Sequence, residues 1–304
     1  MKFIYKCCLQ NLFSLIPKGE ILTYFFQKYV TKSYPISDKS FIKVLFTAKT
    51  HFDAFIRHTR LTDIDKVTYY EFGAGWDLIN PIAISLLGIH KLHCIDIRKL
   101  VFPELLNNTI LRLASLKEKI PFDYALPDGI PIAIRSNFKD ILNEYFCVDY
   151  RAPMDARNTD FQDASIDFIV SNATLEHVPK EDIAKIINEC YRIMKKGGIL
   201  SCWIDFRDHW SFFDHDISIY NYLKYSPAQW RKYNPSLHFQ NRLRHKDYLD
   251  LIAHTDFELL EDNPNPPSDK ELDLLRNLNI DHYFLDKYTP EELAIKSSLL
   301  VLRK

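Results

Sequence analysis

The chain has 304 residues, 47% of them hydrophobic and 26% charged, with a formal net charge of −1. This is an ordinary globular balance that can fill a sizeable core, and it excludes a general nucleic-acid binder, which carries a basic face or stripe. There is no run of about 18 or more apolar residues, so no transmembrane span is expected. The apolar start of the chain is broken by Gln10, Asn11 and Ser14 and no small-residue cleavage site follows, so it does not read as a signal peptide. It is expected to be a helix packed on the domain, with peripheral membrane contact by an amphipathic face as the alternative. The six cysteines (Cys7, Cys8, Cys94, Cys147, Cys190, Cys202) form no CxxC pair and several lie in apolar runs, which suits reduced core thiols of a cytoplasmic protein.

Residues 1–65 are rich in aromatic and basic side chains and read as helices, broken near Pro17-Lys18-Gly19 and Tyr34-Pro35, that form an N-terminal helical cap. From Val67 the rhythm changes. Val67 to Phe72 reads as a buried strand that ends at Gly73-Ala74-Gly75. Pro81 suits the first position of a helix that stops at Gly88, and Lys91 to Ile97 is a second strand, with Asp96 near its tip. Phe102 to Leu116 fits a helix. Residues 117–145, with Pro121, Pro127, Gly129 and Pro131, look like an irregular insertion. Cys147 to Arg151 and Ile166 to Ser171 follow as strands, then a helix over Glu181–Met194, a turn at Lys195 to Gly198 and a fifth strand over Ile199–Ile204. Residues 206–244, dense in aromatic, His and Arg residues, read as a second insertion or lid. A helix over His245–His254, a strand near Phe257 to Leu260 and a final strand over Ser297–Leu302 complete the chain. Alternating strands and helices over 66–304 predict a doubly wound, Rossmann-like α/β fold with a mostly parallel sheet.

A strand that ends in a Gly-rich turn before a helix brings backbone N–H groups close to a ligand. Gly73 and Gly75 supply that turn. Glu71 at the strand end suits a cationic amine, and Asp96 suits the two hydroxyls of a ribose. A dinucleotide loop wants a third glycine where Leu78 stands. S-adenosylmethionine needs no phosphate seat, so the missing glycine favours that ligand.

These motifs, in this order, resemble the class I S-adenosylmethionine-dependent methyltransferases over roughly residues 67–205. Glu71 to Gly75 matches the family's glycine motif, and Asp96 its ribose-binding acid. Asp155-Ala156 matches the segment that holds the adenine, Phe161 to Ser171 the fourth-strand motif, and Asn172 to Val178 the segment after it. Arg192 to Gly198 resembles the turn before the fifth strand. The resemblance implies a methyltransferase that binds its cofactor with Glu71, Gly73, Gly75, Asp96, Asp155, Ala156 and Asn172. Trp76-Asp77 departs from the small residues usual after the glycine turn.

In such a sheet the acceptor sits beyond the carboxyl ends of the strands. The fifth strand delivers Asp205, Arg207, Asp208 and His209 to the same edge as Glu176 and His177. His209 is the expected general base or orienting partner, with His177 and Asp205 as the further candidates. This His- and Asp-rich edge favours oxygen as the acceptor atom of a small molecule or glycan. The spacing of Asp205, Asp208, His209, Asp214, His215 and Asp216 matches no metal motif, so no metal is expected. The competing functions are a methyltransferase-like scaffold without catalysis and a nucleotide-cofactor oxidoreductase. Retention of the acids and glycines disfavours the first, and Leu78 the second.

Overall fold

Alternation of buried apolar strands with amphipathic helices builds a seven-stranded sheet with helices on both faces. The computed structural model describes residues 2–131 and 133–304. Three helices come first: α1 (Phe3–Ser14), α2 (Gly19–Tyr29) and α3 (Asp38–His58). The alternating part then runs β1 (Thr68–Phe72), α4 (Ile79–Leu86), β2 (Lys91–Ile95), α5 (Pro103–Ser115), α6 (Phe138–Phe146) and β3 (Val148–Arg151). It continues through β4 (Ile166–Asn172), α7 (Lys180–Ile193) and β5 (Met194–Asp205). The rest of the chain gives α8 (Pro227–Trp230), α9 (His245–Ala253), β6 (Glu258–Pro264), α10 (Asp269–Arg276), α11 (His282–Leu285), α12 (Pro290–Ala294) and β7 (Ser297–Arg303). Among the described residues no helix is long and apolar enough to cross a membrane.

The strand order is β3-β2-β1-β4-β5-β7-β6. The first five strands pair in parallel, while β7 inserts antiparallel between β5 and β6. The chain thus reverses direction across the sheet between β1 and β4, and the crevice outside their carboxyl ends is where such folds hold ligands. β1 is buried on both faces, as a central parallel strand must be. Helix α3 is one of the layers of the sandwich. Its Phe41, Leu45, Ala48 and Phe55 join Tyr69, Ile82 and Phe168 in the larger core. Helices α7 and α9 cover the opposite face through Ile183, Ile187, Tyr248 and Ile252.

Several local expectations change. Pro81 is the third residue of α4, whose N-cap is Leu78 in a left-handed conformation (φ 54°). The span 117–145 ends in α6, whose Ile141, Leu142 and Phe146 enter the core; its three prolines all precede the helix. Lys195 to Gly198 is a looped-out bulge within β5, between the register positions Ile166–Met194 and Phe168–Ile199, with Gly197 at φ 82°. The helices over 269–294 have no counterpart in the sequence reading. Asp167 accepts from the Thr68 amide (2.9 Å) and from Lys195 Nζ (2.7 Å), so it orients strands and takes no part in the cleft.

Residues 206–244 have little regular structure, yet they pack around a core of their own. Trp210, Tyr220, Tyr222 and Trp230 are buried there with Phe3 of α1, Leu275 of α10 and Leu293 of α12. Arg244 fastens this third core to the sheet. Fully buried, it donates to the carbonyls of Phe206 (2.6 Å), Leu293 (2.8 Å) and Ile295, and to the Tyr222 hydroxyl. Losing the guanidinium would strip the Leu293 and Ile295 carbonyls of their donor, while Phe206 keeps the Tyr222 hydroxyl. Arg244→Ala is therefore expected to cost more than about 3 kcal/mol, read as a drop in urea midpoint at unchanged m-value.

Candidate active site

The turn after β1 is stitched to the end of β2. The amides of Gly73 and Ala74 both donate to the Ile95 carbonyl (3.0 and 3.1 Å), and the Gly75 amide donates to Asp96 Oδ2 (3.2 Å). Gly73 has φ +83°, and a Cβ there would lie 2.1 Å from Thr174 Oγ1. Only glycine allows β1 and the segment after β4 to approach this closely. Gly75 has φ +69°, but a Cβ on it would meet nothing, because it would project into open space. One glycine therefore serves packing, and the other leaves room for a ligand. Asp96 lies one residue beyond β2 with Oδ1 accepting from the Arg98 amide (2.9 Å). Burial raises its pKa, and its backbone hydrogen bonds oppose that shift.

A cleft of about 720 Å³ runs along this edge of the sheet. Of the residues expected at the site, Gly73, Gly75, Asp96, Asp155, Ala156, His177 and His209 line it. Asp155 stands on the wall with both carboxylate oxygens on Arg157 (2.6–3.0 Å), which holds its pKa below the usual carboxylate range. Three residues face elsewhere. Glu71 lies one residue before Phe72, whose ring reaches the cleft, so strand alternation turns Glu71 into the core. There it is 2% exposed and accepts from the Tyr69 hydroxyl (2.7 Å), and burial pushes its pKa to about 7. It cannot meet a ligand amine. Asn172 turns its side chain toward His51 of α3, and Ala173 and Thr174 take the wall position expected of it. Asp205 is clamped by Arg207 (2.9 and 3.2 Å to Nε); Arg207 and His209 hold its pKa down against the opposing effect of burial.

Other lining residues carry no motif. Gln10, Thr23, Gln27 and Tyr34 reach in from the N-terminal segment, and residues 236–239 close the far side. Trp76 does two jobs: it lines the cleft and stacks with Tyr24 and Phe102 (centroids 5.9 Å for each pair). In the aromatic lid, Phe212 and Phe213 face the cleft, while Trp210 and Trp230 are core. Only the burial of each side chain separates these two groups.

Three histidines gather along the same cleft. The rings of His177 and His209 lie 4.8 Å apart, and those of His209 and His238 lie 6.4 Å apart. His177 Nδ1 is 2.6 Å from the Phe239 carbonyl, so it donates there and leaves Nε2 as the free acceptor. Burial lowers the pKa of His209, to about 3, and of His238, while His177 is exposed to the cleft. Beside them Glu176 accepts from the Asp205 amide through Oε1 (3.3 Å).

A family model described as a methyltransferase domain matches residues 134–202, the stretch from the approach to α6 through most of β5. It covers the Asp155 wall, the Glu176-His177 segment and the bulge before the last parallel pairing. That stretch of the chain resembles a methyltransferase domain. The chain is also similar to solved structures of low identity. The YcgJ protein of Bacillus subtilis shares 15% identity over 86% of this chain and 98% of that one, with a TM-score of 0.44. A putative methyltransferase from Bacillus halodurans shares 17% over 84% and 99%, at 0.43. Geranyl diphosphate C-methyltransferase from Streptomyces coelicolor shares 13% over 85% and 78%, also at 0.43. No curated protein matches the chain. The open space above Gly75 fits a ligand lying against the loop backbone.

Two expectations follow. Gly73→Ala should lower the melting temperature clearly, because short, branched Thr174 cannot swing away. Gly75→Ala should cost only the left-handed strain of about 1–2 kcal/mol while weakening S-adenosylhomocysteine binding by calorimetry. Equal effects of the two variants on stability would contradict the geometry. The second expectation concerns pH. Glu71 has a folded pKa near 7 against 4.5 for the free side chain. Its stabilising contribution is complete below about 4.5 and is lost as pH rises through 7. Glu71→Gln should therefore flatten the decline in melting temperature between those values.

Proposed function

We propose that the chain is a class I S-adenosylmethionine-dependent methyltransferase that transfers the methyl group to an oxygen of a small-molecule or glycan acceptor. The observation that carries the reading is a single cleft lined both by Gly75 and Asp96 and by the histidine cluster. Its volume, about 720 Å³, falls within the about 300–1,000 Å³ of small-ligand sites. Residues of α1 and α2 and residues 236–239 contribute to its lining.

S-adenosylmethionine supplies an electrophilic methyl group on sulfonium, and little is asked of the protein beyond position, exclusion of water and handling of one proton. In this reading Asp96 accepts from the ribose hydroxyls with lone pairs left over from its two backbone contacts. Asp155 and Ala156 border the adenine. Phe212 and Phe213 shield the reacting atoms from water. His177 presents its free Nε2 to the acceptor side of the cleft. It replaces His209 as the leading residue, since His209 is 8% exposed and wedged against Phe212 (centroids 5.0 Å). Asp205, held by Arg207, acts as a positioning residue. Free thiols at all six cysteines fit a reducing compartment, and we place the enzyme in the cytoplasm.

The test is a split between affinity and rate, after an acceptor is found by screening with labelled methyl donor. Asp96→Ala should weaken S-adenosylhomocysteine about tenfold or more, the worth of a hydrogen bond to a charged group. His177→Ala should leave that affinity nearly intact and slow single-turnover methyl transfer by about 10²–10⁴-fold. A normal single-turnover rate in His177→Ala would remove it from the chemistry.

A further inference from the structure

The acid-rich run after β5, the natural place to seek a metal in the sequence, is dispersed by folding. Asp208 turns to the Trp210 amide (2.8 Å) and the Asn221 side chain (3.2 Å), and Asp214 accepts from the Phe3 amide (2.7 Å). What folding assembles instead is a set from two distant segments. One ligand atom each from Glu176, His177 and His209 lies within 4.8 Å of the others. Two of these residues are buried, Glu176 at 2% and His209 at 8% exposed. Glu176 Oε2 and His209 Nε2 are both buried without any hydrogen-bond partner. Uncompensated buried polar atoms are costly, and here two of them converge. The third member, His177, opens into the cleft.

We propose that Glu176, His177 and His209 bind a divalent transition-metal ion at the acceptor end of the cleft. Two imidazoles and one carboxylate form the donor set of open zinc sites, in which a further position remains for a water or substrate oxygen. An ion here satisfies both orphaned atoms at once. The surroundings fit a ligating role: the Nδ1–H of His177 donates to the Phe239 carbonyl, which fixes the ring with Nε2 free, and Glu176 Oε1 is anchored by the Asp205 amide. The open position faces the cleft, so the acceptor would be a molecule whose reacting hydroxyl binds the ion and is acidified by it. This deepens the oxygen-acceptor reading and rests on it; the Nε2 lone pair of His177 then holds the ion instead of taking the proton, which leaves the acidified hydroxyl for water in the cleft.

The experiment uses the full chain, stripped with chelator and titrated with Co²⁺, with Zn²⁺ as competitor. Visible d–d absorption saturating at one equivalent, and its loss on adding Zn²⁺, is the expected result. His209→Ala and His177→Ala should each weaken Co²⁺ binding by more than the about 10–100-fold that removal of an outer-shell partner costs. Both should keep S-adenosylhomocysteine affinity, which also certifies that they fold. Absence of Co²⁺ bands and of any melting shift with Zn²⁺, in protein that binds S-adenosylhomocysteine, overturns the metal site alone. Failure to bind S-adenosylhomocysteine as well overturns the methyl-transfer reading beneath it. Bands that persist in both histidine variants place the ion elsewhere and also overturn the proposal.

Discussion

The contact on which the cleft depends is the approach of Gly73 to Thr174. It brings the carboxyl ends of the two central strands together at the point where the sheet changes direction. With Gly73 in place, its amide and that of Ala74 share the Ile95 carbonyl, which fixes the loop to β2 and sets Asp96 beside Gly75. Thr174 in turn starts the segment that carries Glu176 and His177. Both ends of the cleft therefore hang on one contact in which a methyl group has no room.

The second organising device is polar and buried. The lid has few helical or strand hydrogen bonds, so its carbonyls need other partners. Arg244 and Arg242 supply them. Arg242 donates to the carbonyls of Tyr222 (3.0 Å) and Tyr225 (2.5 Å), while Arg244 links Phe206 to the approach to β7. Aromatic packing fills the space between, as in the stacking of Tyr225 with Trp230. Held in this way, irregular backbone can deliver His209 and His238 to fixed places. The same lid core includes Phe3 and Cys7, so α1 is bound into it, and through α1 the N-terminal segment closes over the cofactor end.

Burial has electrostatic consequences at both ends. His209 is buried away from water, so its imidazole stays neutral at physiological pH, the form that offers a nitrogen lone pair, while His177 is exposed to the cleft. At the other end the burial of Glu71 makes a carboxyl of the glycine motif a structural hydrogen-bonding group.

The order of the motifs along the sequence determined the fold class, the glycine turn and the acid after the second strand. These are local events, in which strand periodicity, a positive φ and a strand tip are each set within a few residues. It also determined that Asp155, Ala156, His177 and His209 would stand at one sheet edge, because parallel strands all deliver their carboxyl ends to the same side. Which way a side chain faces was decided only by tertiary structure. Glu71 is one pleat away from the cleft and Asn172 is drawn to His51, since alternation on a doubly covered sheet offers both faces an apolar environment and leaves no pattern to read. Nor could spacing reveal that His209 meets Glu176 and His177, 32 residues apart at the shortest, as well as Asp205 four residues before it. That meeting depends on the parallel pairing of β4 with β5 and on a lid whose path is set by buried arginines and aromatic packing. Neither leaves a period in the sequence.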